Sequence, residues 1–282
     1  GEEYKGEDLL KCIAVSSAND AVVAMAEKIG GSVDAFVELM NQKVNELGLK
    51  NTHFSNPHGL DNENHYSSAY DMAMLGKELL KYPDILKFTS IYEDYLTKPD
   101  GSQIWLVNTN RLVRFYEGVD GLKTGFTTDA GYCLTATAKR NDLRLISVVM
   151  KSETADTRSK DTATLLSYGF NSFKNHLIYS KDEVLGTVKI LNGKKDNVNV
   201  YLKEDATILL GVTEKPDNYS VEIESEPIKA PINKNTIVGT ASILDNEGNI
   251  ILEKEVIVKE DILKSNFWNY LKKNLKLITG GK

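Results

Sequence analysis

Two short runs hold the residue types that acyl-transfer chemistry needs: Ser17-Ala18-Asn19 and Lys123-Thr124-Gly125. A serine hydroxyl at position 17 can relay a proton, and the Asn19 amide can hold a peptide group. Lys123 and Thr124 offer a cation and a hydroxyl to a terminal carboxylate. Gly125 lets an extended chain lie against a strand edge with no Cβ in the way. Each run alone also has an ordinary structural use. Ser-x-Asn before a helix serves as an N-cap, and Lys-Thr-Gly at a strand end serves as a turn. The two together, in this order, carry the chemical reading.

Other chemistries find little support. Cys12 and Cys133 each lie in an apolar run, with no Cys-x-x-Cys spacing and too few cysteines for a disulfide framework. The four histidines, His53, His58, His65 and His176, are scattered, so neither a metal nor a cofactor is expected. A net charge of −6, from 34 basic and 40 acidic side chains, argues against nucleic-acid binding. Among the remaining polar and aromatic candidates, His58 reads as a backbone partner in its turn and Asp20 as support for a helix start. Cys133 reads as a small buried hydrophobe, and Phe126 either borders a groove or caps a sheet.

These residues need elements to position them. With 282 residues, 41% of them apolar, the chain has room for two domains, and no run of 18 apolar residues spans a bilayer. Apolar periodicity predicts helices over 7–14, 20–29, 32–47 and 69–81, with Ser32 and Ser68 as caps and Gly30-Gly31 as a stop. The period then falls to two. Runs at 92–98 and 103–108 flank a Pro-Asp-Gly turn, and strands follow at about 119–125, 131–138 and 143–150. A helical period returns over 154–175. The pattern is α+β, helices packed with an antiparallel sheet. Beyond Val184, short Val/Ile-rich runs between turns predict a small all-β module. The expected boundaries are 1–180, 183–262 and a tail at 263–282. Leu263 to Lys282 holds five lysines and no acid beside Phe267, Trp268 and Tyr270, the balance of an interfacial helix on anionic lipid.

With these residues in view, the chain resembles the low-molecular-mass penicillin-binding proteins of the D-alanyl-D-alanine carboxypeptidase type over nearly its whole length. The motifs that carry the resemblance are Ser17-Ala18-Asn19-Asp20, Asn56-Pro57-His58-Gly59-Leu60, Val119 to Gly125, and Ala130-Gly131-Tyr132. The resemblance implies a penicillin-binding, β-lactamase-like catalytic domain, a β-rich second domain and an amphipathic anchor. It implies a serine peptidase that removes the terminal D-alanine from peptidoglycan stem peptides ending in D-Ala-D-Ala and that binds β-lactam antibiotics. Ser17, Asn19 and Lys123 take catalytic positions, and Thr124 and Gly125 bind substrate. Arg158 matches a family arginine that helps hold the terminal carboxylate. The implied location is the outer face of the bacterial cytoplasmic membrane, held there through residues 263–282. A β-lactamase and a non-catalytic wall-binding protein are the rival readings.

One departure stands out. The family's nucleophile and base lie in a Ser-x-x-Lys motif upstream of Ser-x-Asn, yet no serine here has lysine three positions on. Ser147 comes nearest, with Lys151 four positions away. Nor does Gly1-Glu2-Glu3-Tyr4 form a signal peptide. The expectation is a chain whose signal peptide, first two sheet strands and nucleophile helix precede these residues. Two consequences follow: these residues alone do not react with penicillin, and strand 143–150 lies at a sheet edge with exposed apolar surface nearby.

Overall fold

Residues 1–266 are described in the computed structural model, and they divide into two units, residues 1–172 and the chain from 173 onward. The first unit begins with three helices, α1 (Gly6–Ser16), α2 (Asn19–Gly30) and α3 (Val33–Glu46). Gly31 ends α2 at φ +82°, a conformation that glycine adopts without steric cost, and its N–H closes onto the Glu27 carbonyl. Ser32 caps α3 by accepting the Ala35 N–H at 3.1 Å, and Ser68 caps α4 (Ala69–Leu79) by accepting that of Asp71 at 3.2 Å. A short helix α5 (Leu86–Thr89) leads into a hairpin of β1 (Glu93–Thr97) and β2 (Gln103–Val107). After the brief α6 (Leu112–Phe115) come β3 (Val119–Thr127), β4 (Gly131–Arg140), β5 (Leu143–Ser152) and α7 (Ala155–Ser172).

The three long strands form an antiparallel sheet in the order β3-β4-β5. One face packs on α7, where Leu134, Ala136, Ala138 and Leu166 are buried with Leu112 and Val119. Burying a side chain such as Leu134 or Leu166 contributes about 2 kcal/mol. The other face meets α4 at Gly76, where an added Cβ would come within 3.2 Å of Leu122. A separate cluster of Cys12, Val15, Ala21, Leu96 and Leu106 joins α1 and α2 to the hairpin. Within the described residues β5 pairs with β4 alone, so it is an edge strand as its sequence context leads one to expect, with Met150 exposed on it.

The second unit consists of strands: β6 (Phe173–Tyr179), β7 (Gly186–Leu191), β8 (Asn197–Leu202), β9 (Ala206–Gly211), β10 (Ser220–Glu224), β11 (Ile228–Lys229), β12 (Ile237–Leu244) and β13 (Ile250–Val258). Six of them form a sheet in the order β10-β12-β13-β8-β7-β11, while β6 pairs with β9. Val188, Ile190, Val198, Val200, Leu202, Ile243, Val256 and Val258 build its core. One correction to the sequence reading falls at the join. The helix expected to reach 175 ends at Ser172, and residues 173–179 are strand, held by antiparallel pairing with β9. No helix among the described residues is long and apolar enough to cross a membrane. Of the expected tail 263–282, residues 267–282 lie outside the described residues.

Candidate active site

Ser17 sits where α1 stops. Its backbone turns left-handed at φ 61°, ψ 43°, unusual for a residue with a Cβ, and the chain reverses there into α2. Ala18, not Ser17, is the N-cap of α2, and no side chain caps that helix. The Ser17 side chain is therefore exposed and makes no hydrogen bond among the described residues. The structural use for this serine, capping the next helix, does not apply.

The loop after β2 faces Ser17. Asn108 and Asn110 are buried and fasten the loop through their side chains. Asn108 Nδ2 donates to the carbonyls of Thr89 and Ile91, and Asn110 Nδ2 donates to that of Gly121 at 3.2 Å. Thr109, between them, donates its N–H to the Val15 carbonyl at 3.1 Å, which ties the loop to the end of α1. Its Oγ1 lies 2.5 Å from Thr124 Oγ1 on β3.

Across the cleft, the first turn of α7 presents Arg158. This residue is only 5% exposed, and its Nε is buried without a partner. One terminal nitrogen donates to the Thr109 carbonyl at 3.4 Å. Burial pushes its pKa down. Lys123, half-buried, donates its ammonium to the Thr124 carbonyl at 2.7 Å. Burial and, secondarily, the nearby Arg158 charge lower its pKa to about 8. Neither cation has a carboxylate partner among the described residues.

A cleft of about 660 Å³ results, lined by Ser17, Thr109, Thr124, Gly125, Phe126 and Arg158, among others. Among the described residues β3 pairs only with β4, and a Cβ at Gly125 would meet nothing closer than Cys133 at 3.9 Å, so space lies open beyond this strand. An extended peptide can therefore lie along β3 with its carboxylate toward Thr124 and Arg158. Phe126 is 57% exposed, its ring tilted against that of Tyr132 with centroids 4.3 Å apart, and it borders the groove.

Four of the six expected site residues, Ser17, Thr124, Gly125 and Arg158, meet in this cleft. Asn19 and Lys123 are not among the residues lining it. Lys123 instead turns its ammonium back onto the Thr124 carbonyl of its own strand. Cys133 is half-buried rather than buried, its thiol directed at the Ala130 carbonyl at 3.4 Å. His58 does bond backbone, accepting the Leu60 N–H through Nδ1, and Asp20 accepts the Ala21 N–H at the start of α2. Thr109, Arg111 and Asp156 also line the cleft and escaped the sequence reading. Only the Asn-x-Asn run around Thr109 could have signalled a loop held by its own side chains.

The profile of the D-alanyl-D-alanine carboxypeptidase family matches residues 1–154. The D-alanyl-D-alanine carboxypeptidase DacF of Bacillus subtilis is 45% identical over 276 residues, covering 98% of this chain and 71% of its own. The chain belongs to the D-alanyl-D-alanine carboxypeptidase family. Residues 173–264 match the C-terminal domain of penicillin-binding protein 5. Among solved structures, penicillin-binding protein 5 of Haemophilus influenzae is similar, with a TM-score of 0.64 and 34% identity over 92% of this chain and 74% of that one. Penicillin-binding protein D2 of Listeria monocytogenes, solved with cefotaxime bound, has a TM-score of 0.54 and 36% identity over 59% of this chain and 67% of that one. In this chain the cleft between β3 and the start of α7 brings together Ser17, Thr124, Gly125 and Arg158.

Proposed function

We propose that this chain forms the substrate-holding part of a serine D-Ala-D-Ala carboxypeptidase that acts on peptidoglycan stem peptides, at the outer face of the bacterial cytoplasmic membrane. The observation that carries the reading is the buried, unpaired Arg158 Nε beside Thr124 in a cleft open along β3. A buried cationic donor without a partner favours an anion, and a peptide's terminal carboxylate is the anion that arrives together with an extended backbone.

In this reading the stem peptide lies antiparallel or parallel to β3 at Gly125, with its last carboxylate on Thr124 and Arg158. A serine from a Ser-x-x-Lys motif attacks the penultimate D-alanine carbonyl, and the C–N bond breaks. The serine proton passes through the lysine and Ser17 to the departing amine, and free D-alanine leaves. Water then cleaves the acyl-serine ester, returning the proton to serine and releasing the shortened peptide. Asn19 holds the peptide amide, and Lys123 adds positive charge behind Thr124. The same acylation accounts for β-lactam binding, with the antibiotic's carboxylate in the D-alanine carboxylate's place. The lysine-rich segment 263–282 supplies attachment to anionic lipid.

The full-length protein, including a Ser-x-x-Lys segment, is expected to release D-alanine from a peptide ending in free D-Ala-D-Ala and much less from its C-terminal amide. Arg158→Ala should erase that preference while leaving the melting temperature nearly unchanged. Equal rates on both peptides in the wild type would remove the assignment. Residues 1–282 alone, having no serine three positions before a lysine, should form no covalent adduct with labelled penicillin. A stoichiometric adduct on Ser17 would overturn its assignment as a relay.

A further inference from the structure

Thr109 contacts three site-bearing elements at once. Its N–H holds the Val15 carbonyl, two residues before Ser17; its Oγ1 holds Thr124 Oγ1 at 2.5 Å; and its carbonyl accepts from Arg158 at 3.4 Å. The loop cannot drift, because buried Asn108 and Asn110 pin it on both sides. Yet Thr109 itself is exposed and lines the cleft, so its side chain is not needed to fill a core.

The hydroxyl contact has a consequence for proton placement. Two hydroxyls in contact share one proton along the line between them. If Thr124 donates to Thr109, a Thr124 lone pair faces any incoming carboxylate and repels it. If Thr109 donates to Thr124, the Thr124 proton is free to point into the cleft. A bound carboxylate selects the second arrangement, and the resulting chain of hydrogen bonds, Thr109 to Thr124 to carboxylate, polarises each member.

We propose that Thr109 is a positioning residue for carboxylate recognition, orienting the Thr124 hydroxyl as a donor and aiming Arg158 through its backbone carbonyl. This rests on the carboxylate reading of the cleft given above. Thr109 acts through Thr124 and not by its own contact with substrate, and that distinguishes the proposal from simple lining.

Thr109→Val removes the hydroxyl and keeps the shape, the N–H and the carbonyl, so the bonds to Val15 and Arg158 persist. In the full-length enzyme it should lower kcat/KM for the free-acid peptide about tenfold, the loss of one well-placed hydrogen bond. Most of the loss should fall in KM, with turnover of the C-terminal amide unchanged. Thr109→Ser keeps the hydroxyl and should stay within about twofold of wild type. In a Thr124→Val background, Thr109→Val should cost nothing further, because its partner is already gone.

Additive losses in that double variant would overturn the proposal, as would equal losses on the acid and amide peptides, or failure of serine to restore activity. If Thr109→Val does not fold, the Thr109→Ser and Thr109→Ala pair provides the same contrast. A wild type that shows no preference for the free acid sinks the carboxylate reading and this proposal together. A wild type that prefers the acid, with a Thr109→Val variant that does so equally, sinks this proposal alone.

Discussion

A buried ammonium beside a buried guanidinium gives up its proton more readily than a lysine in water, and at Lys123 both causes act in the same direction. Its pKa falls from 10.5 to about 8. The sign of the pH effect follows directly. In the carboxylate reading proposed for the cleft, Lys123 is charged below about 8 and adds to the pull on a substrate carboxylate, and above it the charge is lost. The kcat/KM for free-acid peptides should therefore decline as pH rises through about 8, while that for the amide stays flat there. Lys123→Arg, whose charge persists to higher pH, should push that decline upward, and an unchanged profile would detach Lys123 from recognition. Linkage gives the stability counterpart. Between about 8 and 10.5 the unfolded chain holds more protons at this position than the folded one, so stability rises with pH across that window. Below about 8 the full cost of the buried charge remains. The residue types at 123–125 and 158 could be read from the sequence, but which of them face the cleft could not. That depends on the sheet register, which pairs Thr124 with Leu134, a residue buried with Leu166 of α7.

At the scale of elements, β3 owes its position to a clamp across the whole sheet. Arg144 on β5 makes a two-pronged contact with Asp120 on β3, both at 2.8 Å, and also donates to Thr137 Oγ1 on β4 at 2.9 Å. Thr137 in turn donates to the Leu145 carbonyl, and Thr89 on α5 donates to that of Asp120. The pair is only about a quarter exposed, at 27% and 25%, so water screens it little compared with a surface ion pair. Asp120→Asn keeps the shape but removes the carboxylate charge and leaves one acceptor for the two Arg144 donors. It should cost about 1–2 kcal/mol, roughly 2–8 °C in melting temperature. A double-mutant cycle with Arg144→Met should return most of that loss as coupling, and a coupling near zero would mean that the strands are held in register by other contacts. None of this network shows in the sequence, because its partners lie 24 and 7 positions apart. Local signals fared better. The serine caps at 32 and 68, the glycine stop after α2 and the Pro-Asp-Gly hairpin all form as their residues dictate. The β6 strand was missed for a specific reason: Phe173 extends the spacing of Leu166 and Phe170 by another turn, and only pairing with the distant β9 overrides it.

For the whole molecule, the apolar cores are divided unevenly. The smaller second unit gathers thirteen buried residues, Val188 to Ile262, into a single cluster. Among the described residues, the larger first unit has two separate clusters, one of six residues on the α7 side of the sheet and one of five under the hairpin. Stability grows with apolar surface buried in common, so a long chain with a divided core holds itself together less well than a shorter one with a continuous core. An edge strand with Met150 exposed adds to the difference. Residues 1–282 should therefore unfold in two heat-absorbing transitions, the lower one belonging to residues 1–172. Hydrogen exchange should assign it, with amides of β3, β4 and β5 exchanging at the lower transition while those of β8, β12 and β13 remain protected. A β-lactam or D-Ala-D-Ala peptide that occupies the β3 cleft should raise only the lower transition, since a ligand stabilises the unit that binds it. A single cooperative transition reported alike by both sets of amides would mean that the two cores behave as one.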